Sequence, residues 1–192
     1  MLTAVQPTQQ FSPTQYWSYF PTPDELCLKL IDLAQPKVGD RILEPSAGTG
    51  HLAKWIRASC PATWIEVCEI VPEFQRTLTA LGFPVVAGDF ISLDVQPIYD
   101  LVISNPPFDR QMSHIRKMWR HLRKGGRLVS LASARYRWEK TNRQGYYAPI
   151  YDEFREWLRS VRAVDIELPP GSFADSERPT NVEVCILVVD KY

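Results

Sequence analysis

The residues Ser104-Asn105-Pro106-Pro107-Phe108 follow directly on the apolar run Tyr99-Asp100-Leu101-Val102-Ile103. The run reads as a buried strand, and two consecutive prolines end it by removing two backbone donors and fixing φ. An amide and an aromatic ring are left at the strand's carboxyl end, the edge of an open α/β sheet where ligands bind. A stiff loop suits Asn105 if its side chain must hold a flat polar group in one orientation. The plain alternative is a proline-terminated strand with a loop phenylalanine, and the rest of the chain decides between them.

Other chemistry-bearing residues fall at strand ends too. The strand Arg41–Glu44 runs into Pro45-Ser46-Ala47-Gly48-Thr49-Gly50 and then a helix through Leu52, Ala53, Trp55 and Ile56. The pattern Glu44-x-Ser46-x-Gly48-x-Gly50 lacks the GxGxxG spacing of a dinucleotide fingerprint. Its glycines still imply close approach of backbone to a ligand whose polar end meets free N–H groups. Glu69 ends the next strand, Trp64–Glu69, 19 positions after Gly50, where a carboxylate can accept hydrogen bonds from ribose hydroxyls. Asp89 and Phe90 end the strand Val85–Gly88 and could read an exocyclic amine and stack on a purine. Singly, these are a turn glycine, a solvated carboxylate and a core phenylalanine. Their coincidence at consecutive strand ends points to a nucleotide-like ligand.

The elements that must position these residues alternate along the chain. Thr22-Pro23-Asp24-Glu25 has the form of a capping box with proline at the first helical position, and Pro36 closes the helix that follows. Helical spacing continues through Phe74, Leu78 and Leu81, through Met112, Ile115, Met118, Trp119 and Leu122, and around Phe154, Trp157 and Leu158. Three further strands, Arg127–Ala132, Ala163–Leu168 and Val182–Val189, bring the total to seven. Alternating strands and helices argue a doubly wound, mostly parallel sheet. Residues 21–192 are expected to form one domain with no separate recognition module, and residues 1–20, which carry no charge, an amino-terminal arm.

Composition narrows the class. With 45% hydrophobic and 23% charged residues over 192 positions, the chain reads as a soluble globular protein large enough to bury a real core. No apolar run reaches the roughly 18 residues of a membrane span and no signal peptide is evident, so a cytoplasmic location is expected. Cys27, Cys60, Cys68 and Cys185 are scattered without a CxxC pair, which predicts buried reduced thiols and neither a zinc site nor disulfides. His51, His114 and His121 show no ligand spacing. The net charge of zero hides a split: 11 of the 22 Lys and Arg residues lie between Arg110 and Arg143, with Glu139 the lone acid among them. A face built for a polyanion is one expectation, and within it Arg135, Arg137, Trp138, Lys140 and Arg143 interleave cationic and aromatic groups suited to backbone contact and base stacking.

Together, Glu44–Gly50, Glu69, Asp89-Phe90 and Asn105-Pro106-Pro107-Phe108 resemble the class I S-adenosylmethionine-dependent methyltransferases. More narrowly they resemble the N6-adenine amino-methyltransferases of bacteria, phages and plasmids. The similarity spans roughly residues 20 to 190, and Phe20-Pro21-Thr22-Pro23 also matches a cofactor-side motif. The resemblance implies a Rossmann-like seven-stranded sheet with the last strand antiparallel, S-adenosyl-L-methionine as cofactor and no metal. It places Thr22 and Pro23 over the methionine end, Glu44, Ser46, Gly48 and Gly50 around the amino-acid moiety, Glu69 on the ribose, and Asp89 and Phe90 on the adenine. Asn105 and Pro106 would accept hydrogen bonds from the target amine, Pro107 would stiffen the loop and Phe108 would stack on the target base.

The function so implied is methyl transfer to the N6 amine of adenine in DNA, with little built-in sequence recognition and with a partner subunit as a possible source of it. An RNA adenine methyltransferase is the nearest alternative, because compact enzymes of that kind share the motif. A protein-glutamine methyltransferase fits the planar amide but not the basic region. A non-catalytic nucleic-acid-binding module or partner subunit on the same fold is the alternative outside enzymes.

Overall fold

The helix α1 (Asp24–Ala34) turns Leu26, Cys27, Leu30, Ile31 and Ala34 inward, while Asp24 and Glu25 complement the positive end of its dipole. It ends at Gln35, whose φ of 52° lies in the left-handed region, just before Pro36. In this computed structural model, which describes residues 21–141, 145–173 and 182–192, the expected capping box does not form. Pro23 occupies the cap position and no side chain caps the helix. The Thr22 hydroxyl, in a residue only 5% exposed, meets the side chain of Asn105 across the molecule.

The strands β1 (Arg41–Glu44), β2 (Trp64–Cys68), β3 (Val85–Ala87), β4 (Tyr99–Ser104), β5 (Leu122–Ser133), β6 (Val164–Glu167) and β7 (Val184–Asp190) form one sheet in the order β3-β2-β1-β4-β5-β7-β6. The first five are parallel, and β7 runs antiparallel to both β5 and β6. The doubly wound, seven-stranded sheet with an antiparallel last strand is therefore the observed fold. Strand order reverses between β1 and β4, so a crevice opens beyond their carboxyl ends. The pairs Ile42–Leu101 and Leu43–Val102 bring Glu44 and Ser104 out near the same level on that edge. Central strands are apolar on both faces, as β4 shows, because helices cover both.

One face packs against α1, α2 (His51–Ser59) and α3 (Pro72–Ala80), through residues such as Leu30, Ile56, Leu78 and Ile103. The other packs against α4 (Gln111–His121) and α5 (Pro149–Ser160), through Val102, Ile115, Met118, Phe154 and Leu187. The strand β5 is longer than the sequence predicts. Leu122 leaves α4 directly into extended backbone, and Gly125, at φ 78°, joins a pairing with Lys191 beyond β7. Cys27, Cys68 and Cys185 are buried and all four cysteines are free thiols; burial pushes the three up to about 12.

The arm 1–20, Arg143 and much of the β6–β7 connection lie outside the described residues. Among the described residues no helix is long and apolar enough to cross a membrane, and no cluster of His, Cys, Asp and Glu is arranged to hold a metal ion.

Candidate functional site

The site is built from the carboxyl ends of β1, β2, β3 and β4. Past β1, Gly48 (φ 55°) and Gly50 (φ 82°) take left-handed backbone that side chains disfavour. A Cβ on Gly50 would also come within 2.9 Å of Leu78 Cδ2 and push that side chain aside, so it is the left-handed backbone that calls for glycine where α2 begins. The turn is pinned to the neighbouring strand: Ala47 donates to the Cys68 carbonyl at 3.0 Å, and Gly48 donates to Glu69 Oε2 at 2.7 Å. The other oxygen, Glu69 Oε1, accepts from Val71 at 2.8 Å. Two oriented backbone donors therefore fix the Glu69 carboxylate, and each oxygen keeps lone-pair capacity for a further donor.

Glu44 is 2% exposed and its Oε2 has no hydrogen-bond partner. Burial, then the negative charge of Glu69, pushes its carboxyl well above the usual range, against a hydrogen bond from the Ala53 backbone. Burial also raises Glu69, opposed by backbone donors at Val71, Gly48 and Ile70. Glu44 is the more strongly raised of the pair, because Glu69 has its charge solvated by peptide N–H groups. A buried carboxyl with one unpartnered oxygen beside a glycine turn fits a ligand bearing an ammonium group, and Glu69 beside it fits ribose hydroxyls. Ser46 sits half-buried in the same turn, and Pro23 stands half-buried at the head of α1.

Asp89 continues the row of strand-end carboxylates. Its Oδ1 accepts from Ile91 at 2.9 Å and caps the short 3-10 turn Phe90–Ser92. Phe90 differs from the expectation of an open stacking surface. Its ring is 2% exposed and lies tilted against His114 and His121, with centroids 5.5 and 5.3 Å away. It fills core beneath the site, and its backbone shapes the turn that presents Asp89.

At the end of β4, Asn105 is half-buried, and its Nδ2 donates to Thr22 Oγ1 at 3.1 Å. Pro106 is buried, and the Pro107 carbonyl accepts from Arg110 at 3.0 Å, closing the turn into α4. Phe108 is half-buried, with Phe173 edge-on to it at 6.3 Å and 84°. Two supporting residues were not evident in the sequence. Gln111, at the start of α4, clamps the Ser133 backbone: its Nε2 donates to the Ser133 carbonyl at 3.0 Å and its Oε1 accepts from the Ser133 N–H at 2.6 Å. Phe173 comes from a loop without periodicity and is buried against Phe108. Neither position carries a sequence signal, because each acts through a contact made only on folding.

Five arginines of the basic region are ion-paired: Arg123 to Asp100, Arg127 to Asp190, Arg116 to Glu153 and Arg137 to Asp165 and Glu167 from outside it, and Arg135 to Glu139 within it. Arg137 grips Asp165 through two nitrogens at 2.6 and 2.9 Å, and Tyr136 OH donates to the same carboxylate at 2.5 Å. Arg137 and Tyr136 therefore root the insertion on β6. Trp138, at 52% exposure, and Lys140 remain outward, as do Tyr146 and Tyr147 beside an antiparallel bridge between Thr141 and Tyr147. Part of the sequence asymmetry is therefore ion-pair halves, most of whose partners come from other elements, and the outward groups of the insertion stand beside them.

Known proteins place this architecture. Over 119 residues, 55% of this chain, it is 31% identical to ribosomal RNA small subunit methyltransferase C of Cronobacter sakazakii, and over 118 residues 27% identical to the protein of that name from Klebsiella pneumoniae. The matched chain covers only 34% of the length of each of these relatives. Among solved structures, a dimethyladenosine transferase from Plasmodium falciparum superposes with a TM-score of 0.62 at 19% identity, over 91% of this chain and 64% of that one. An O-methyltransferase from Bacillus cereus in complex with SAH superposes with a TM-score of 0.65 at 13% identity, over 89% of this chain and 83% of that one. At such identities the structural likeness establishes the fold alone. The family model described as the methyltransferase small domain matches residues 25–148, from α1 through the glycine turn and the Asn105–Phe108 motif to the insertion, and the chain belongs to that family.

Proposed function

We propose that this protein transfers a methyl group from S-adenosylmethionine to the exocyclic amine of a base, adenine N6 first among them, in RNA. The observation that supports the reading most is the Asn105–Phe108 motif standing at the switch point of the sheet beside the carboxylates Glu44, Glu69 and Asp89. RNA takes precedence over DNA because the relatives named above are ribosomal RNA methyltransferases.

The residues present fit the cofactor. Glu44 would take its ammonium, Glu69 the ribose diol and Asp89 the adenine amine, with Gly48 and Gly50 allowing close backbone approach. When bound, the cofactor supplies an electrophilic methyl on a sulfonium. The protein's part is to hold and polarise the nucleophile. An aromatic amine donates poorly because its lone pair is delocalised into the ring. Two fixed acceptors, Asn105 Oδ1 and the Pro106 carbonyl, would engage its N–H bonds and turn the lone pair toward the methyl. The nitrogen–methyl bond would form as the methyl–sulfur bond breaks, and the extra N–H proton, acidic only after transfer, would then pass to water. A neutral amide suffices, because no base must act before transfer. Phe108, braced by Phe173, would stack on the base, and a paired base would have to leave its helix at a cost of a few kcal/mol.

Incubation with methyl-labelled S-adenosylmethionine and separately with ribosomal RNA, small ribosomal subunits, duplex DNA and a protein lysate tests the reading. Label is expected in RNA, recovered after digestion as a base methylated on its exocyclic nitrogen. Label in DNA alone would restore the DNA reading, and label in protein alone would end the nucleic-acid reading altogether.

A further inference from the structure

We propose that Thr22 is a positioning residue that orients the Asn105 side-chain amide, a role distinct from contact with the cofactor. The inference rests on the amine-transfer reading given above and deepens it at one residue.

Thr22 sits where a helix-capping hydroxyl would be expected, yet no side chain caps α1. Its oxygen instead accepts from Asn105 Nδ2 at 3.1 Å, joining two residues 83 positions apart. Everything around Thr22 stiffens it. Pro21 and Pro23 flank it, and a residue before proline is held in extended backbone. Its carbonyl accepts from Cys27 Sγ at 3.6 Å, tying it to α1, and the residue is 5% exposed.

An asparagine amide has ends of nearly equal size and opposite hydrogen-bonding sense, and its terminal torsion has broad, roughly two-fold wells. With Oδ1 toward a target amine it accepts the amine's N–H. With Nδ2 there, donor would face donor and the polarisation would vanish. In the structure Nδ2 takes the Thr22 side, which turns Oδ1 away from α1 as the accepting end. The hydroxyl sits on a segment held from both sides, so it fixes the amide plane before any substrate arrives.

Thr22→Val keeps the shape and removes the hydroxyl, and Thr22→Ser keeps the hydroxyl. For Thr22→Val we expect kcat to fall tenfold to a hundredfold while affinity for S-adenosylhomocysteine, titrated calorimetrically on the full chain, changes less than threefold. Thr22→Ser is expected to restore at least half the wild-type kcat. In the ligand-free protein the Asn105 side-chain amide resonances, assigned by their loss in Asn105→Ala, are expected to broaden or shift in Thr22→Val and not in Thr22→Ser. Thr22→Val added to Asn105→Ala is expected to cost nothing further. A Thr22→Val enzyme within twofold of wild type, with unchanged Asn105 resonances, would overturn the proposal. A parallel loss of affinity and turnover would overturn it in favour of a cofactor contact. Full activity of Asn105→Ala would instead overturn the amine-transfer reading, and the resonances would still report whether Thr22 orders the amide.

Discussion

Gly48 donates its backbone N–H to the Glu69 carboxylate at 2.7 Å, locking the turn after β1 to the end of β2. Glu69 thereby shapes the glycine turn as well as presenting an acceptor to a ligand. Glu69→Gln keeps the size but places an NH2 against either the Gly48 or the Val71 donor. A buried donor left unpaired costs about 1–3 kcal/mol, enough to lower the melting temperature by several degrees in a domain of this size. Affinity for S-adenosylhomocysteine is expected to fall at least tenfold. Calorimetric titration and a thermal melt check both, and unchanged affinity would remove Glu69 from the ligand site.

Glu44 differs from Glu69 in lacking a partner for Oε2, and burial with the neighbouring charge raises its carboxyl well above the ordinary 4.5. A group raised in the folded state contributes stability that is fully present below its unfolded value and is lost as pH rises through its folded value. Glu44→Gln removes that dependence. The ligand-free variant is expected to melt higher than wild type at pH 8, with the gap closing toward pH 4.5, and to bind the cofactor about tenfold more weakly. Melting curves across that range decide it. A gap that does not vary with pH would refute the raised carboxyl of Glu44.

His121 is fully buried with no hydrogen-bond partner on either ring nitrogen, and His114 Nδ1 likewise has none. Burial lowers both to about 4 from the ordinary 6.5. Lys117, Arg120 and Lys191 also disfavour a charge on His121, whereas around His114 Asp89 and Asp109 oppose Arg110 and Lys117. Stability from these neutral rings is present above pH 6.5 and lost as pH falls toward about 4, on the order of 3 kcal/mol for each at full effect. Both rings pack under Phe90, so acid should loosen the turn that carries Asp89. His121→Leu is expected to flatten the fall in melting temperature between pH 6.5 and 4.5. An unchanged acid limb would show that other groups govern it.

Arg137 and Lys140 lie three residues apart yet should answer different assays. Arg137 holds Asp165 from two nitrogens, so Arg137→Met leaves that carboxylate to Tyr136 alone and should cost about 1–3 kcal/mol of stability without altering the salt dependence of RNA binding. Lys140→Ala and Trp138→Ala remove exposed groups and should leave the melting temperature in place while weakening RNA binding. Loss of one phosphate contact should lower the salt slope by about 1. RNA binding measured across salt concentrations, beside thermal melts, separates the two. Identical slopes for Lys140→Ala and wild type would take the insertion out of the RNA interface.

The fold was legible in the sequence because it is written in local patterns. Apolar runs ended by Gly-Gly or Pro-Pro, and helices of 3.6 periodicity between them, are set by backbone sterics and burial, which neighbours in sequence determine. The strand-end residues Glu44, Glu69, Asp89 and Asn105 could be placed on one edge for the same reason, since parallel strands share their carboxyl ends. Tertiary structure alone decided the pairings. Thr22 reads locally as a helix cap, yet its hydroxyl is taken by Asn105 from 83 residues away. Phe90 reads as a stacking surface, yet two histidines of α4 close over it. The run of basic residues reads as a polyanion face, yet Asp100, Asp165 and Asp190 arrive from other strands to meet it. A side chain's type is fixed by sequence, but whether its charge or hydrogen bond is already spent depends on groups that only the folded chain brings within about 3 Å.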